Sequence, residues 1–374
     1  MCYGAAPLFT KFIGKGKNLS MGILLSTLER GQRAMRVPGR RRLTRIGLAA
    51  ALAVAIGIAV SACGSSSSGS TGSTINLVAY STPETVYDKA LIPAFQKTSR
   101  GQGTSFKTSF GPSGDQSRAV QAGQPASYVH LSLEPDMQAL VDAGLVDSSW
   151  QDNPYHGIVQ DSVVVFVVRK GNPKNIQTWE DLVKPGVQVV TPNVFSSGGA
   201  KWNLMAAYGA QLEEGKSPSE ALAFVKTLLE HAVAQPGSAS DALTTFTSGK
   251  GDVLLSYESD AIEAQNAGEN VDYVVPDDTI LIQTPAATTT DASTQARDFL
   301  KFLWTPKAQQ LWADGGYRPV NKSVLDKNRS KFPDPPGLFT IDKLGGWTKA
   351  NSEFFDPENG SVAKIESELG VSTG

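Results

Sequence analysis

The chain has 374 residues, of which 40% are hydrophobic and 19% charged, with 36 glycines and 21 prolines. This is the composition of a turn-rich globular α/β protein, not of a disordered chain or a coiled coil. The net charge of −2 conceals a segregation: residues 1–62 hold 10 of the 34 basic and 1 of the 36 acidic residues, and the acidic remainder lacks the basic footprint of a nucleic-acid binder.

The two cysteines, Cys2 and Cys63, both precede the body, so a disulfide or a cysteine-based zinc site is not expected within it. Arg40-Arg41-Arg42-Leu43-Thr44-Arg45 is basic, Ile46 to Val60 is apolar, and Val60-Ser61-Ala62-Cys63-Gly64 sets small residues before a cysteine. That is the order of an export signal, and its apolar stretch is shorter than the ~20 residues of a membrane-spanning helix. Val-Ser-Ala-Cys resembles a bacterial lipobox. The resemblance implies that Cys63 is diacylated and becomes the mature N-terminus. The body would then be held on the outer face of the cell membrane, where each buried methylene contributes about 0.8 kcal/mol. Met35 starts a signal of ordinary length, with Met21 as the alternative, and residues 1–34 are set aside from fold reasoning. Residues 1–62 are thus upstream segment plus signal, and the Gly/Ser-rich residues 63–74 read as a flexible tether.

From Ile75 the pattern alternates. Ile75 to Tyr80 reads as a strand, and Ser81-Thr82-Pro83-Glu84 opens a helix to about Phe95, with Pro in the first turn and Glu at the positive end of the dipole. Phe106 to Phe110 is a second strand, followed by the turn Gly111-Pro112-Ser113-Gly114 and a helix from about Asp115 to Ala122. A third strand lies near Tyr128 to Leu133, and a helix near Asp136 to Ala143. Ser162 to Arg169 is a long apolar strand and Val187 to Thr191 another, with helices over 202–214 and 218–231. Strands at 253–257, 271–275 and 280–282 and helices over 294–303 and 306–314 complete the body. The βαβ rhythm predicts sheets covered by helices.

Three loops leave a strand, present small residues and enter a helix. Strand ends that feed helix starts gather ligands in open α/β sheets, and the unpaired N–H groups there donate to sulfate or phosphate without a full countercharge. The sharpest is Asn193-Val194-Phe195-Ser196-Ser197-Gly198-Gly199-Ala200-Lys201, where Gly198 and Gly199 permit close approach of an anion and Ser197 either caps the helix or donates its hydroxyl. An ordinary N-cap explains this loop equally well. The turn at Ser113 and the loop at Ser81 carry the same design more weakly.

Val168-Arg169-Lys170-Gly171-Asn172-Pro173-Lys174, Trp179-Glu180-Asp181-Leu182-Val183-Lys184-Pro185-Gly186-Val187, the loop from Thr191 to Asn203, Gly251-Asp252-Val253-Leu254-Leu255 and Tyr317-Arg318-Pro319 together resemble the bacterial sulfate-binding proteins of ABC importers, lipoprotein form. The similarity runs from about Ile75 to about Asp356. It implies a type II periplasmic-binding fold: two lobes, each a mixed sheet flanked by helices, with the ligand in the cleft between them. The implied lobes are residues 75–162 with a return over 273–329, and residues 163–272, with residues 330–374 packing on the body as an appendage.

The resemblance implies a site of uncharged donors. Ser113 matches the family serine, Ser197, Gly198 and Gly199 match the second-lobe loop, and Ser238 falls where another backbone N–H donates. Tyr257 stands where the family has an indole donor, Ser81 where it has an Asp that uses its backbone N–H, and Lys201 replaces an Arg. The implied partners are sulfate or thiosulfate, permease subunits and, through Cys63, the membrane, with the protein acting as a monomer. No cofactor, metal or nucleic acid is implied.

Sulfate is a dianion that only accepts hydrogen bonds, so a site of donors suits it. Phosphate, with a relevant pKa near ~6 in its esters, gains from a carboxylate that would repel sulfate. No carboxylate is assigned to the site, although Asp115 and Glu84 are near in sequence. Molybdate or a sulfonate are alternative ligands, and an enzyme on the same fold is the alternative of another class. His130, His156 and His231 lack metal-ligand spacing and accompany no nucleophile elbow. Asp136 and Asp142 read as solvated helix residues, and Trp150, Trp179, Trp202 and Trp347 as packing residues.

Overall fold

The computed structural model describes residues 73–372, so the signal and Cys63 lie outside the described residues. Among the described residues ten strands form: β1 (Thr74–Tyr80), β2 (Ser105–Gly111), β3 (Tyr128–His130), β4 (Ile158–Arg169), β5 (Val189–Val190), β6 (Ala232–Ala234), β7 (Val253–Tyr257), β8 (Val271–Val274), β9 (Asp278–Thr288) and β10 (Gly337–Phe339). They follow one hydrogen-bonded path, β2-β1-β3-β9-β4-β7-β5-β6, with β10 on β9 and β8 on β4. The two ends of that path are parallel, β2-β1-β3 on one side and β7-β5-β6 on the other.

Two long antiparallel strands join the ends. β4 pairs with β9 through Ile158 to Val163, then with β7 through Val164 to Val168 and with β8 on its other edge. β9 in turn pairs with β10, β4 and β3 along its length. The run Val163 to Val168 is buried on both faces, as its unbroken β-branched and apolar pattern requires.

Each end has its own core. Tyr87, Phe95, Phe299 and Trp312 pack edge-on around the first, with Phe95 to Phe299 at 5.1 Å and Tyr87 to Trp312 at 5.3 Å between ring centroids. The second holds Phe166, Trp179 and Trp202, and includes Trp347, Phe354, Phe355 and Ile365 from the C-terminal segment. Trp347 meets Trp202 at 4.6 Å and Phe354 meets Tyr208 at 4.8 Å. Burying such rings removes the largest apolar surfaces the chain has from water.

The first expected helix is not uniform. Tyr87–Leu91 is a wide turn in which Ile92 N–H donates to the Tyr87 carbonyl. Pro93 lacks the N–H that would serve Lys89 in a regular helix, and the wider turn accommodates that loss.

Candidate functional site

Each of the six strands in the two parallel ends leads into a helix start: β1 through Ser81 to Pro83, β2 through Pro112, β3 through Leu131 to Leu133, β5 through residues 191–197, β6 through residues 235–238, and β7 without a linker. Three belong to each parallel end of the sheet path. The first N–H groups of each helix have no intrahelical acceptor and carry partial positive charge.

The junctions meet. Gly114 N–H donates to the Ser196 carbonyl at 3.2 Å, linking the β2 and β5 junctions. Ser196 Oγ donates to the Gly237 carbonyl at 2.8 Å, adding the β6 junction. Tyr257 hydroxyl and Ser132 Oγ lie 2.6 Å apart, joining β7 to β3. The Tyr80 ring at the end of β1 sits 5.8 Å from that of Tyr257. Trp202 Nε1 donates to the Ser132 carbonyl at 3.0 Å.

Ser197 is the N-cap of the helix Gly198–Glu213, which begins four residues earlier than its sequence pattern suggests. Its side chain makes no capping bond, so its hydroxyl is not committed to the helix. The two glycines are required by close approach. A Cβ on Gly198 would lie 2.5 Å from Ser132 Oγ, and one on Gly199 would lie 2.8 Å from the Tyr257 ring. Ser132 and Tyr257 side chains therefore adjoin the two glycines at which the sequence analysis expects close approach of an anion.

Ser113 opens the helix Ser113–Gln121, and its Oγ donates to Asp136 Oδ2 at 2.6 Å while accepting Ser132 N–H at 2.9 Å. The hydroxyl proton is thus directed to Asp136. Ser238 caps the helix Ala239–Thr247, accepting Asp241 N–H at 3.0 Å and donating to Asp241 Oδ2 at 2.7 Å. The helix-start N–H groups at these two positions are the donors their side chains leave available. Ser81 is half-buried, and its carbonyl accepts Glu84 N–H at 3.2 Å.

Asp136 is not a solvated helix residue. Burial raises its carboxyl pKa, opposed first by the Lys201 ammonium and then by Ser113. A carboxylate does adjoin the site, one atom behind Ser113 and paired electrostatically with Lys201. Burial lowers the Lys201 pKa, and its Nζ donates to Asn351 Oδ1 at 3.2 Å. Burial also raises the Tyr257 phenol far above its ordinary range, so it stays protonated and able to donate. His130 is neutral core: burial lowers it to about 3, with Nδ1 2.8 Å from Tyr87 hydroxyl and Nε2 3.0 Å from Thr284 Oγ1.

Behind the junctions, Arg318 forms a two-pronged pair with Glu258, Nε to Oε2 at 2.7 Å and a second nitrogen to Oε1 at 3.0 Å, both residues buried. Its backbone exchanges bonds of 2.8 and 2.9 Å with Asp161 of β4. Tyr317 hydroxyl donates to the Thr82 carbonyl at 2.9 Å. A groove of about 1110 Å³ runs alongside, lined among others by Arg118, Phe195, Ser196, Lys201 and Trp347. Ser113, Ser197, Gly198, Gly199 and Tyr257 lie outside it, in the closed seam.

A model of bacterial extracellular solute-binding proteins matches residues 75–318. The chain belongs to this family. A relative named sulfate-binding protein, from Synechococcus elongatus, is 39% identical over 82% of this chain and 92% of its own length. The solved structure of the sulfate-binding protein SubI from Mycobacterium tuberculosis is 45% identical, with a TM-score of 0.74, over 76% of this chain and all of its own. A thiosulfate-binding protein from Escherichia coli is 33% identical over 71% of this chain and 83% of its length. Among the described residues of this solute-binding protein, no helix is long and apolar enough to cross a membrane.

Sequence reasoning passed over Ser132 and Tyr80, quoted Ser196 only as part of its loop, and read Asp136 as solvated. The signal for Ser132 was present, because the β3 junction repeats the strand-to-helix design of the other loops. Asp136 was misread because it lies in the first turn of the helix Glu134–Asp142, three residues past the buried Leu133, a relation that periodicity does not display.

Proposed function

We propose that this solute-binding protein captures sulfate at the meeting point of the six junctions and delivers it to the permease of an ABC importer. The observation that carries the reading is the convergence of helix starts, two close-packed glycines and a protonated phenol at one seam. Ser197 hydroxyl, Tyr257 hydroxyl and the helix-start N–H groups at Ser113, Gly198, Gly199 and Ser238 are the donors, with the Ser81 junction completing the ring. Donors to an ionised acceptor form the stronger class of hydrogen bond, and the relatives named for sulfate support this choice.

Lobes over 75–162 with 273–329 and over 163–272 would close about the ligand by bending β4 and β9, a hinge motion. The protein acts as a monomer and turns nothing over. Cys63 carries the lipid, which holds the protein on the outer face of the membrane; Cys63→Ser should move it from the membrane to the soluble fraction.

Calorimetric titration of the purified chain with sulfate tests the reading, with thiosulfate, molybdate and a sulfonate as competitors. Saturable heat with sulfate is expected, and no measurable heat at millimolar sulfate would refute it. Thiosulfate is the second reading, favoured by the relative named for it and by a phenol at position 257 in place of the family indole. Tighter binding of thiosulfate than sulfate would select it.

A further inference from the structure

The helix Ser361–Glu368 buries a carboxyl group, Glu366, with none of its surface exposed. Gln235 Nε2 donates to Glu366 Oε2 at 3.1 Å. The amide oxygen, Gln235 Oε1, and the second carboxyl oxygen, Glu366 Oε1, are each buried without a hydrogen-bond partner. Two acceptors left unpaired on two groups already joined by one bond form an unusual arrangement, because buried polar atoms are nearly always satisfied. One proton resolves both. A protonated carboxyl has an O–H donor, and a primary amide offers its carbonyl beside its N–H.

We propose that Glu366 is a neutral carboxylic acid that closes a two-bond ring with Gln235, positioning the loop that leads to Ser238. The inference rests on the sulfate reading above for its functional consequence. Burial raises the Glu366 pKa, with the Gln235 bond opposing, in keeping with the neutral form. The charged groups on the packed elements are engaged or turned outward. Glu368 pairs with Lys226 of the neighbouring helix at 2.7 Å, and Lys364, Glu230 and Glu353 are exposed. His231 Nδ1 meets the Val187 carbonyl at 2.9 Å.

The ring acts on the site through the backbone. Gln235 precedes Pro236, whose carbonyl accepts Asn193 N–H at 2.8 Å, and Gly237, whose carbonyl accepts Ser196 Oγ at 2.8 Å. Ser196 then receives Gly114 N–H from the opposite side of the seam. Glu366 is therefore a positioning residue, placed by the C-terminal segment behind two anion-loop junctions.

Three forms of the full chain decide the matter: wild type, Glu366→Gln and Glu366→Leu. A glutamine reproduces both bonds of the ring without a titratable proton, whereas leucine removes both. Glu366→Gln is expected to keep sulfate affinity within about twofold and Glu366→Leu to weaken it about tenfold, as for lost buried bonds at one remove from the ligand. The folded state binds the Glu366 proton more tightly than the unfolded state, whose value is the ordinary 4.5. Its contribution is thus complete below that value and declines as pH rises through the raised folded one. The melting temperature of Glu366→Gln should accordingly gain on wild type as pH rises from about 5 to about 8. A constant difference across that range, or Glu366→Gln weakening sulfate binding as much as Glu366→Leu, overturns the proposal. So does unchanged affinity in Glu366→Leu. If that variant does not fold, the pH profile of Glu366→Gln decides alone. Absence of sulfate binding in wild type refutes the functional reading, and the melting profiles still decide the protonation state.

Discussion

Tyr257 hydroxyl lies 2.6 Å from Ser132 Oγ at the seam, where burial keeps the phenol protonated. Tyr257→Phe retains the ring and should weaken sulfate binding by about 1–3 kcal/mol, the loss of a buried donor to a charged partner, read by calorimetry. Ser197→Ala should do the same, because its hydroxyl is not committed to the helix cap. Ser113→Ala should act by a different route, since it orphans Asp136 next to the site. Asp260 illustrates a titration that the fold imposes. Burial raises it to about 7, against the hydroxyl of Ser256 and others. Its contribution to stability is full below the ordinary 3.8 and is lost as pH rises through about 7. Asp260→Asn should therefore melt higher relative to wild type at pH 8 than at pH 5. At this scale Gly198 and Gly199 were legible as a close approach, but what approaches them was not. Ser132 and Tyr257 are 125 positions apart in the chain, and local pattern carries no information on such pairs.

At the scale of elements, strand-to-helix junctions repeat because the same turn chemistry serves each βα unit: small or capping residues first, then acidic or proline residues in the first helical turn. This is why the β1, β2 and β5 junctions could be read from sequence with their correct strands. The wide turn at Tyr87–Leu91 could not be placed by hydrophobic spacing, although Pro93 marked the irregularity. The Arg318–Glu258 pair ties the helix following β7 to the start of β4 through the backbone of Asp161. Glu258→Ala leaves a buried guanidinium without its buried carboxylate, with only the Pro333 carbonyl and the more distant Asp334 remaining, and should cost about 3–5 kcal/mol of stability in denaturant melts, with a larger loss than any exposed pair such as Lys322–Asp326. The C-terminal segment is an element whose role periodicity did not disclose. Trp347 and Phe354 complete the second core, and Trp347→Ala should destabilise by about 3–5 kcal/mol.

Across the whole molecule, β4 and β9 make both parallel ends of the path share one hydrogen-bonded backbone. Sulfate added in excess should raise the melting temperature, by a stabilisation of about 2.7 kcal/mol at one hundred times its dissociation constant. A chain unable to bind would melt at the same temperature with and without sulfate. The alternation of strands and helices was legible because each unit carries its own period, whereas the crossing of β4 and β9 between two pairing environments was not: a doubly buried strand looks alike whichever neighbour it meets. The indole of Trp202 also acquires an optical meaning from its place in the seam. Its Nε1 spends its proton on the Ser132 carbonyl, a partner from the opposite parallel end. Separation of the junctions would leave that N–H to hydrogen-bond water and redden the Trp202 share of the indole emission, so a chain keeping Trp202 as its one tryptophan would report the state of the seam without a label.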